Sequence, residues 1–265
     1  MKHKISSGGR KIKPKDPLYD EFYDPTEDFK EEPRAFCYDL AAQFINHAKT
    51  DYSSEWYSDA NTIKGILLLL FTWNFAARET KNLNFHNVEH LLKANKNNLL
   101  KLEKYSIEDA DDQAWPLIEE VFREFRLLFG QTGASKALSL LNPKLFVMWD
   151  TKIRTRLRKS LITGIMNGEN PKHYVHFLQG IQRIIEEYRL KEMLPTNSVL
   201  AKKIDEYHYV RIIMNKPDRR VGRRDDKDNK AKRRSLITDK KKKELLVTDF
   251  SFEDYLHKKG REKKK

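Results

Sequence analysis

Lys136 and Asp150 both lie in the run GQTGASKALSLLNPKLFVMWD, which spans residues 130–150. An amine and a carboxylate brought together beside a polyanion can attack an electrophilic carbon: the amine supplies the electron pair, and the carboxylate stabilises charge or moves protons. A helix over 135–142 would rise about 1.5 Å per residue, roughly 12 Å in all. Pro143 forbids its simple continuation. The residues 143–149 reach about 3.3 Å each when extended, enough to return to the helix start. At helical spacing Ala134, Ala137, Leu138 and Leu141 form one apolar stripe, the pattern of a core-facing helix, which places Lys136, Ser135 and Ser139 on the other side. Each of the pair also has a plainer reading. Lysine on the polar side of an amphipathic helix is ordinarily a solvated charge, and an aspartate before Thr151 and a run of helix formers is what an N-cap looks like. A capping carboxylate can still face a cleft.

The same stretch resembles the active-site segment of the helix-hairpin-helix DNA glycosylases, the superfamily that includes the 8-oxoguanine glycosylases and endonuclease III. In that family a glycine-containing hairpin leads into a helix bearing a catalytic lysine, and an apolar run then delivers an aspartate to the start of another helix. Here Gly130 and Gly133 fall at the hairpin, Lys136 at the nucleophile, and FVMWD carries Asp150. The family's tight Leu-Pro-Gly-x-Gly hairpin is replaced by glycines three apart, and the interval from lysine to aspartate is short. The resemblance implies an all-α glycosylase-like fold and a base-excision enzyme with associated lyase activity on damaged or abasic duplex DNA. Lys136 would attack C1′ of a nucleotide flipped out of the stack, and Asp150 would stabilise positive charge on the sugar. Such an amine must be unprotonated, which requires burial or neighbouring cations such as Lys152 and Arg154 to depress its pKa. Phe146 and Trp149, beside the aspartate, are candidate walls of the base pocket, with ordinary core packing as the alternative.

After Asp150 the sequence turns basic. Lys152, Arg154, Arg156, Arg158 and Lys159 leave only Ile153 and Leu157 for a core, so this helix can track phosphates together with the hairpin glycines Gly130 and Gly133, or serve as a solvated surface. Of the formal net charge of +13, residues 1–16 carry +5 and residues 215–265 carry +10, while residues 17–214 stand at −2. The chain is therefore expected to be one helical domain over 17–214 between two basic tails that have little to bury. Tails of this kind bind DNA or RNA non-specifically through counterion release. Anionic lipid is a further partner for such charge. Within the C-terminal tail, residues 245–259 interrupt the charge with apolar and aromatic side chains, a candidate docking peptide.

Helices are expected over 33–49, 59–78, 86–105, 116–128, 172–193 and 197–214, with a loop at Asn167, Gly168, Glu169, Asn170 and Pro171 and no strands. The most apolar of these, 59–78, has polar ends and reads as a core helix rather than a membrane span, with no signal peptide before it. An intracellular protein, in cytoplasm, nucleoid or nucleus, and a monomer is the expectation. Cys37 is the only cysteine, which excludes an internal disulfide and a four-cysteine iron-sulfur cluster. His86 and His90 have helical metal spacing but no third ligand, and His173 and His176 offer no more, so neither metal nor cofactor is expected. GQTGASK lacks the spacing of a phosphate loop. The competing reading is a non-catalytic nucleic-acid-binding or scaffold protein, with Lys136 as a phosphate contact and Asp150 as a cap.

Overall fold

The computed structural model describes residues 17–51, 55–74, 82–161 and 170–216, with side chains described throughout except at 158–161. The chain divides into the units Met1–Lys216 and Pro217–Lys265, and the described residues all belong to the first. Both basic tails up to these limits, the 245–259 segment, the loop residues 167–169 and the predicted end of the apolar helix at 75–78 lie outside them.

The described residues are mostly helical, with 72% helix and no strand. Eight helices follow one another: α1 (Thr26–Phe29), α2 (Ala35–Asp51), α3 (Ala60–Trp73), α4 (Phe85–Leu102), α5 (Ala114–Leu141), α6 (Thr151–Leu161), α7 (Lys172–Tyr188) and α8 (Leu200–His208). Short 3-10 turns lie at Pro17–Tyr19, Trp56–Ser58 and Leu190–Met193, and a π-helical turn over Tyr209–Ile213 extends α8. The helix predicted over 172–193 is divided at Arg189, which takes a left-handed conformation (φ 52°) and ends α7. No described helix is long and apolar enough to cross a membrane.

Local chemistry explains these boundaries. Asp59 caps α3, its Oδ1 accepting the Asn61 N–H at 2.7 Å, and Asn84 caps α4 by accepting the Asn87 N–H at 2.9 Å; each satisfies a donor the helix start leaves orphaned. The face of α3 formed by Ile63, Ile66, Leu69 and Leu70 is fully buried, which drives its packing on α2. Gly65 makes that packing close, because a Cβ there would lie 2.8 Å from the Ala41 carbonyl oxygen.

α5 carries the segment of chemical interest and departs from the sequence expectation. Two helical arms are present as expected, but in place of a hairpin they meet at a single non-helical residue, Gly130 (φ 68°, ψ 175°), a conformation only glycine adopts readily. Every residue from Gly133 to Leu141 is buried. The polar side of this arm is therefore not solvated, and Lys136 is only 6% exposed. The other side packs Ala134, Ala137 and Leu138 into the core; cutting Leu138 back to alanine costs about 2–5 kcal/mol, the usual range for a fully buried leucine.

α5 ends at Asn142, before Pro143, as the sequence predicts. The Asn142 side chain donates to the Leu102 carbonyl at 3.0 Å and accepts from the Lys144 N–H at 3.2 Å. The chain then runs without regular structure over 146–150 across the polar side of the arm it has just left. Three hydrogen bonds hold it there: Trp149 N–H to Ser135 Oγ at 2.9 Å, Tyr174 O–H to the Val147 carbonyl at 2.8 Å, and Met148 N–H to Asp205 Oδ1. Ser135 on α5, Tyr174 on α7 and Asp205 on α8 thus take the place of water for this extended segment.

Candidate active site

Along an extended chain, side chains alternate between faces. Met148 and Asp150 accordingly line a small cavity, while Val147 and Trp149 go into the core. Lys136 lines the same cavity from α5. The folded chain thus brings amine and carboxylate to one site by the return path the sequence allowed.

Burial is the main influence on Lys136 and lowers its pKa from 10.5 to about 8; the negative charges of Asp150 and Asp205 oppose that shift, and the positive charge of Arg34 assists it. Its Nζ donates to the carbonyl of Trp73, the last residue of α3, and lies 5.9 Å from the centre of that indole ring. Asp150 is half-buried and caps α6, its Oδ1 accepting the N–H groups of Lys152 at 2.9 Å and Ile153 at 3.1 Å. The capping reading of Asp150 and its place at the cavity are therefore both realised. Its second oxygen carries none of these cap bonds.

Ile153 of α6 and two further groups of residues line the cavity. Phe29, Trp73 and Tyr209 form an aromatic wall, with Phe29 stacked on Trp73 at 5.8 Å between ring centres and Tyr209 edge-on to Trp73 at 5.0 Å. Arg34 and Glu32 fix this wall: the Trp73 indole N–H donates to the Arg34 carbonyl at 3.0 Å, Arg34 donates to Tyr209 Oη at 2.7 Å, and Tyr209 donates to Glu32 at 2.9 Å. Burial and the Glu32 carboxylate push the Tyr209 hydroxyl up to about 12, so it stays a neutral donor. Opposite, α8 contributes Lys202, Asp205 and Glu206. The i, i+3, i+4 spacing puts them on one face. Lys202 pairs with Glu206 at 3.3 Å, and its ammonium sits over the Tyr38 ring at 3.3 Å and the Phe29 ring at 4.8 Å. Burial lowers its pKa, against the pull of Glu206 and Asp205. Asp205 accepts from Ser139 O–H at 2.9 Å and from the Met148 amide, and burial pushes its carboxyl up to about 7.

The cavity so enclosed has a volume of about 20 Å³, room for about one water molecule. A ligand larger than water needs the wall to rearrange.

Phe146 and Trp149 are not part of it. Both are fully buried, and Trp149 packs among Phe122, Tyr174 and Phe177 at 5.5–6.1 Å. The wall belongs instead to Phe29, Trp73 and Tyr209, which are distant in sequence and gave no local signal. Met148 was legible from the alternation that places Asp150. In LAKKIDEY the three α8 residues read as ordinary helix-surface charges, and only the fold buries them.

Of the basic helix, Lys152 and Arg156 are exposed one turn apart. Arg154 turns back, donating to the Trp149 carbonyl at 3.3 Å and to Thr151 Oγ1 at 2.9 Å, with its guanidinium 5.2 Å from the Trp149 ring centre. The side chains of Arg158 and Lys159 lie outside the described residues. Gly130 has no atom within 4 Å of where a Cβ would stand. Gly133 is buried against the end of α3, where a Cβ would lie 3.0 Å from Asn74 Nδ2. That contact makes Gly133 a packing glycine rather than an exposed one. Among the described residues no three histidine, cysteine, aspartate or glutamate side chains gather as metal ligands would. In comparisons with known proteins, the chain matches no family model, no curated protein and no solved structure.

Proposed function

We propose that the chain is a DNA base-excision glycosylase with associated lyase activity, built on a helix-hairpin-helix glycosylase-like fold. The observation that carries this reading is the shared cavity in which a buried amine, its pKa lowered to about 8, meets the carboxylate of Asp150. At pH 7.5 an amine with that pKa is roughly a quarter deprotonated, against roughly a thousandth for an unperturbed lysine.

In the proposed reaction Lys136 Nζ attacks C1′ of a flipped nucleotide, and the C1′–N bond breaks with its electron pair leaving on the base, which takes up a proton. The amine then loses its proton and the sugar ring opens to a Schiff base. Loss of a proton from C2′ expels the 3′ phosphate and cleaves the strand. Asp150 stabilises positive charge on the sugar as the bond breaks. Phe29, Trp73 and Tyr209, packed on one another around the cavity, must part to take a base between them. Lys152 and Arg156, both exposed on α6, meet phosphates in this reading.

Borohydride trapping on duplex DNA carrying an abasic site or 8-oxoguanine tests the proposal, with Lys136→Ala and Asp150→Asn alongside. The expected result is a covalent adduct absent from Lys136→Ala and formed more slowly by Asp150→Asn. A wild-type protein that binds both duplexes in a salt-sensitive manner and yields no adduct rules the activity out.

One observation favours the non-catalytic reading: Lys136 Nζ already satisfies the Trp73 carbonyl at the end of α3. A lysine serving only as that cap leaves nucleic-acid binding intact when replaced, and the missing adduct then makes the chain a binding or scaffold protein.

A further inference from the structure

Asp205 is 5% exposed, and both of its oxygens are engaged by groups that flank the reactive pair. Oδ2 accepts from Ser139, one turn beyond Lys136 on α5, and Oδ1 accepts from the amide of Met148, two residues before Asp150. One carboxylate on α8 therefore ties the helix that carries the amine to the extended segment that carries the acid. We infer that Asp205 is a positioning residue that fixes Asp150 opposite Lys136 by holding Ser139 and Met148 together; its activity readout rests on the glycosylase and lyase reading above.

A buried carboxylate is a costly way to join two segments. Two neutral hydrogen-bonding groups would hold them with less desolvation. The charge has a second effect that a neutral group lacks, because it raises the pKa of Lys136 against the lowering by burial. The groups facing Asp205 come from every side: Lys202 and Glu206 on α8, Lys136 and Ser139 on α5, Tyr38 on α2 and Tyr174 on α7. Burial pushes its own carboxyl up to about 7, with Lys202 and the two hydrogen bonds pulling the other way. Above that pH the carboxylate is charged and holds the Lys136 ammonium more firmly; below it that hold weakens.

Asn is the informative replacement. Its carbonyl can accept from Met148 and its amide can donate to Ser139 Oγ, so the tie survives and the charge does not. Alanine removes both. The experiment measures single-turnover adduct formation on abasic-site duplex at saturating protein from pH 6 to 9 for wild type, Asp205→Asn and Asp205→Ala. A ¹⁵N titration of the Lys136 side chain in wild type and Asp205→Asn accompanies it.

The expected results are that Asp205→Asn forms the adduct with its pH profile and Nζ titration both displaced to lower pH, and that Asp205→Ala loses about tenfold or more in rate with DNA affinity unchanged, the cost of a misplaced group. Wild-type rates in Asp205→Ala, or an Asp205→Asn protein that is folded and as slow as the alanine variant, overturn the inference. So does an Nζ titration that Asp205→Asn leaves in place. If Asp205→Ala does not fold, Ser139→Ala replaces it and is expected to slow the adduct by a smaller factor. Wild-type protein that forms no adduct defeats the enzymatic reading instead, and the titration, moved or unmoved, then upholds or overturns the coupling by itself.

Discussion

At the scale of single residues, Lys136 and Asp150 line one cavity, and the amine in it is 6% exposed. The helical pattern puts Lys136 on a polar side expected to be solvated; that side is polar and buried, because α8 and the 146–150 segment cover it with their own polar groups. Such cover comes from residues far along the chain, so no local pattern announces it. The consequence is a pH signature. With the Lys136 pKa lowered to about 8, the free amine grows about tenfold per pH unit below that value and levels off above it. The adduct rate is expected to follow the same curve, and a flat profile between pH 6 and 8 sinks Lys136 as the titrating nucleophile. Stability follows the same sign. Between about pH 8 and 10.5 the unfolded lysine holds a proton the native one has shed, so the native state gains as pH rises. Urea unfolding across that window is expected to lose this slope in Lys136→Met relative to wild type. Asp150 separates its two roles by substitution. Asn keeps a cap for α6, and Ala removes the acceptor of two amides, so Asp150→Ala is expected to lose about 0.5–2 kcal/mol of stability that Asp150→Asn retains. Equal unfolding midpoints for the two variants contradict the cap.

Among the elements, helices with strong apolar faces were legible and their junctions were not. α3 starts where Asp59 predicts and α5 ends where Pro143 predicts, since capping and proline act locally. The glycine hairpin expected between two helices is instead a one-residue break in α5, which the residue types alone do not distinguish from a longer turn. The two glycines there have different duties, and substitution should tell them apart. Gly130→Ala meets no neighbour but forces alanine into a conformation with φ near 68°, so a loss of about 1–3 kcal/mol is expected from backbone strain alone. Gly133→Ala places a methyl against Asn74 and Phe129. That pushes α5 away from the end of α3, where Lys136 meets the Trp73 carbonyl. The adduct rate of Gly133→Ala is therefore expected to fall by more than that of Gly130→Ala once both are compared under conditions where each is folded. Equal rates for the two would mean that the α3–α5 contact does not position the amine.

Across the whole molecule, charge and chemistry are segregated. Residues 17–214 carry a formal net charge of −2, and the positive excess lies in residues 1–16 and 215–265. A nearly neutral helical unit, with Lys152 and Arg156 exposed among the described side chains of α6, is expected to have little electrostatic hold on a polyanion by itself. Under the proposed function, affinity for undamaged duplex is expected to belong mainly to the tails, and site engagement to the cavity. Deleting residues 217–265 removes a formal net charge of +9. The logarithm of the binding constant for undamaged duplex, plotted against the logarithm of salt concentration, is expected to lose most of its slope, because fewer counterions are released per complex. Adduct formation at saturating protein and low salt is expected to persist, since Lys136, Asp150 and the groups that hold them all lie before the deletion. Fluorescence anisotropy over a salt series and borohydride trapping on the same preparation measure both quantities. A salt slope unchanged by the deletion assigns the phosphate contacts to the helical unit. A lost adduct with the slope unchanged instead makes residues 217–265 part of the site itself, and the two functions are then not separable along the chain.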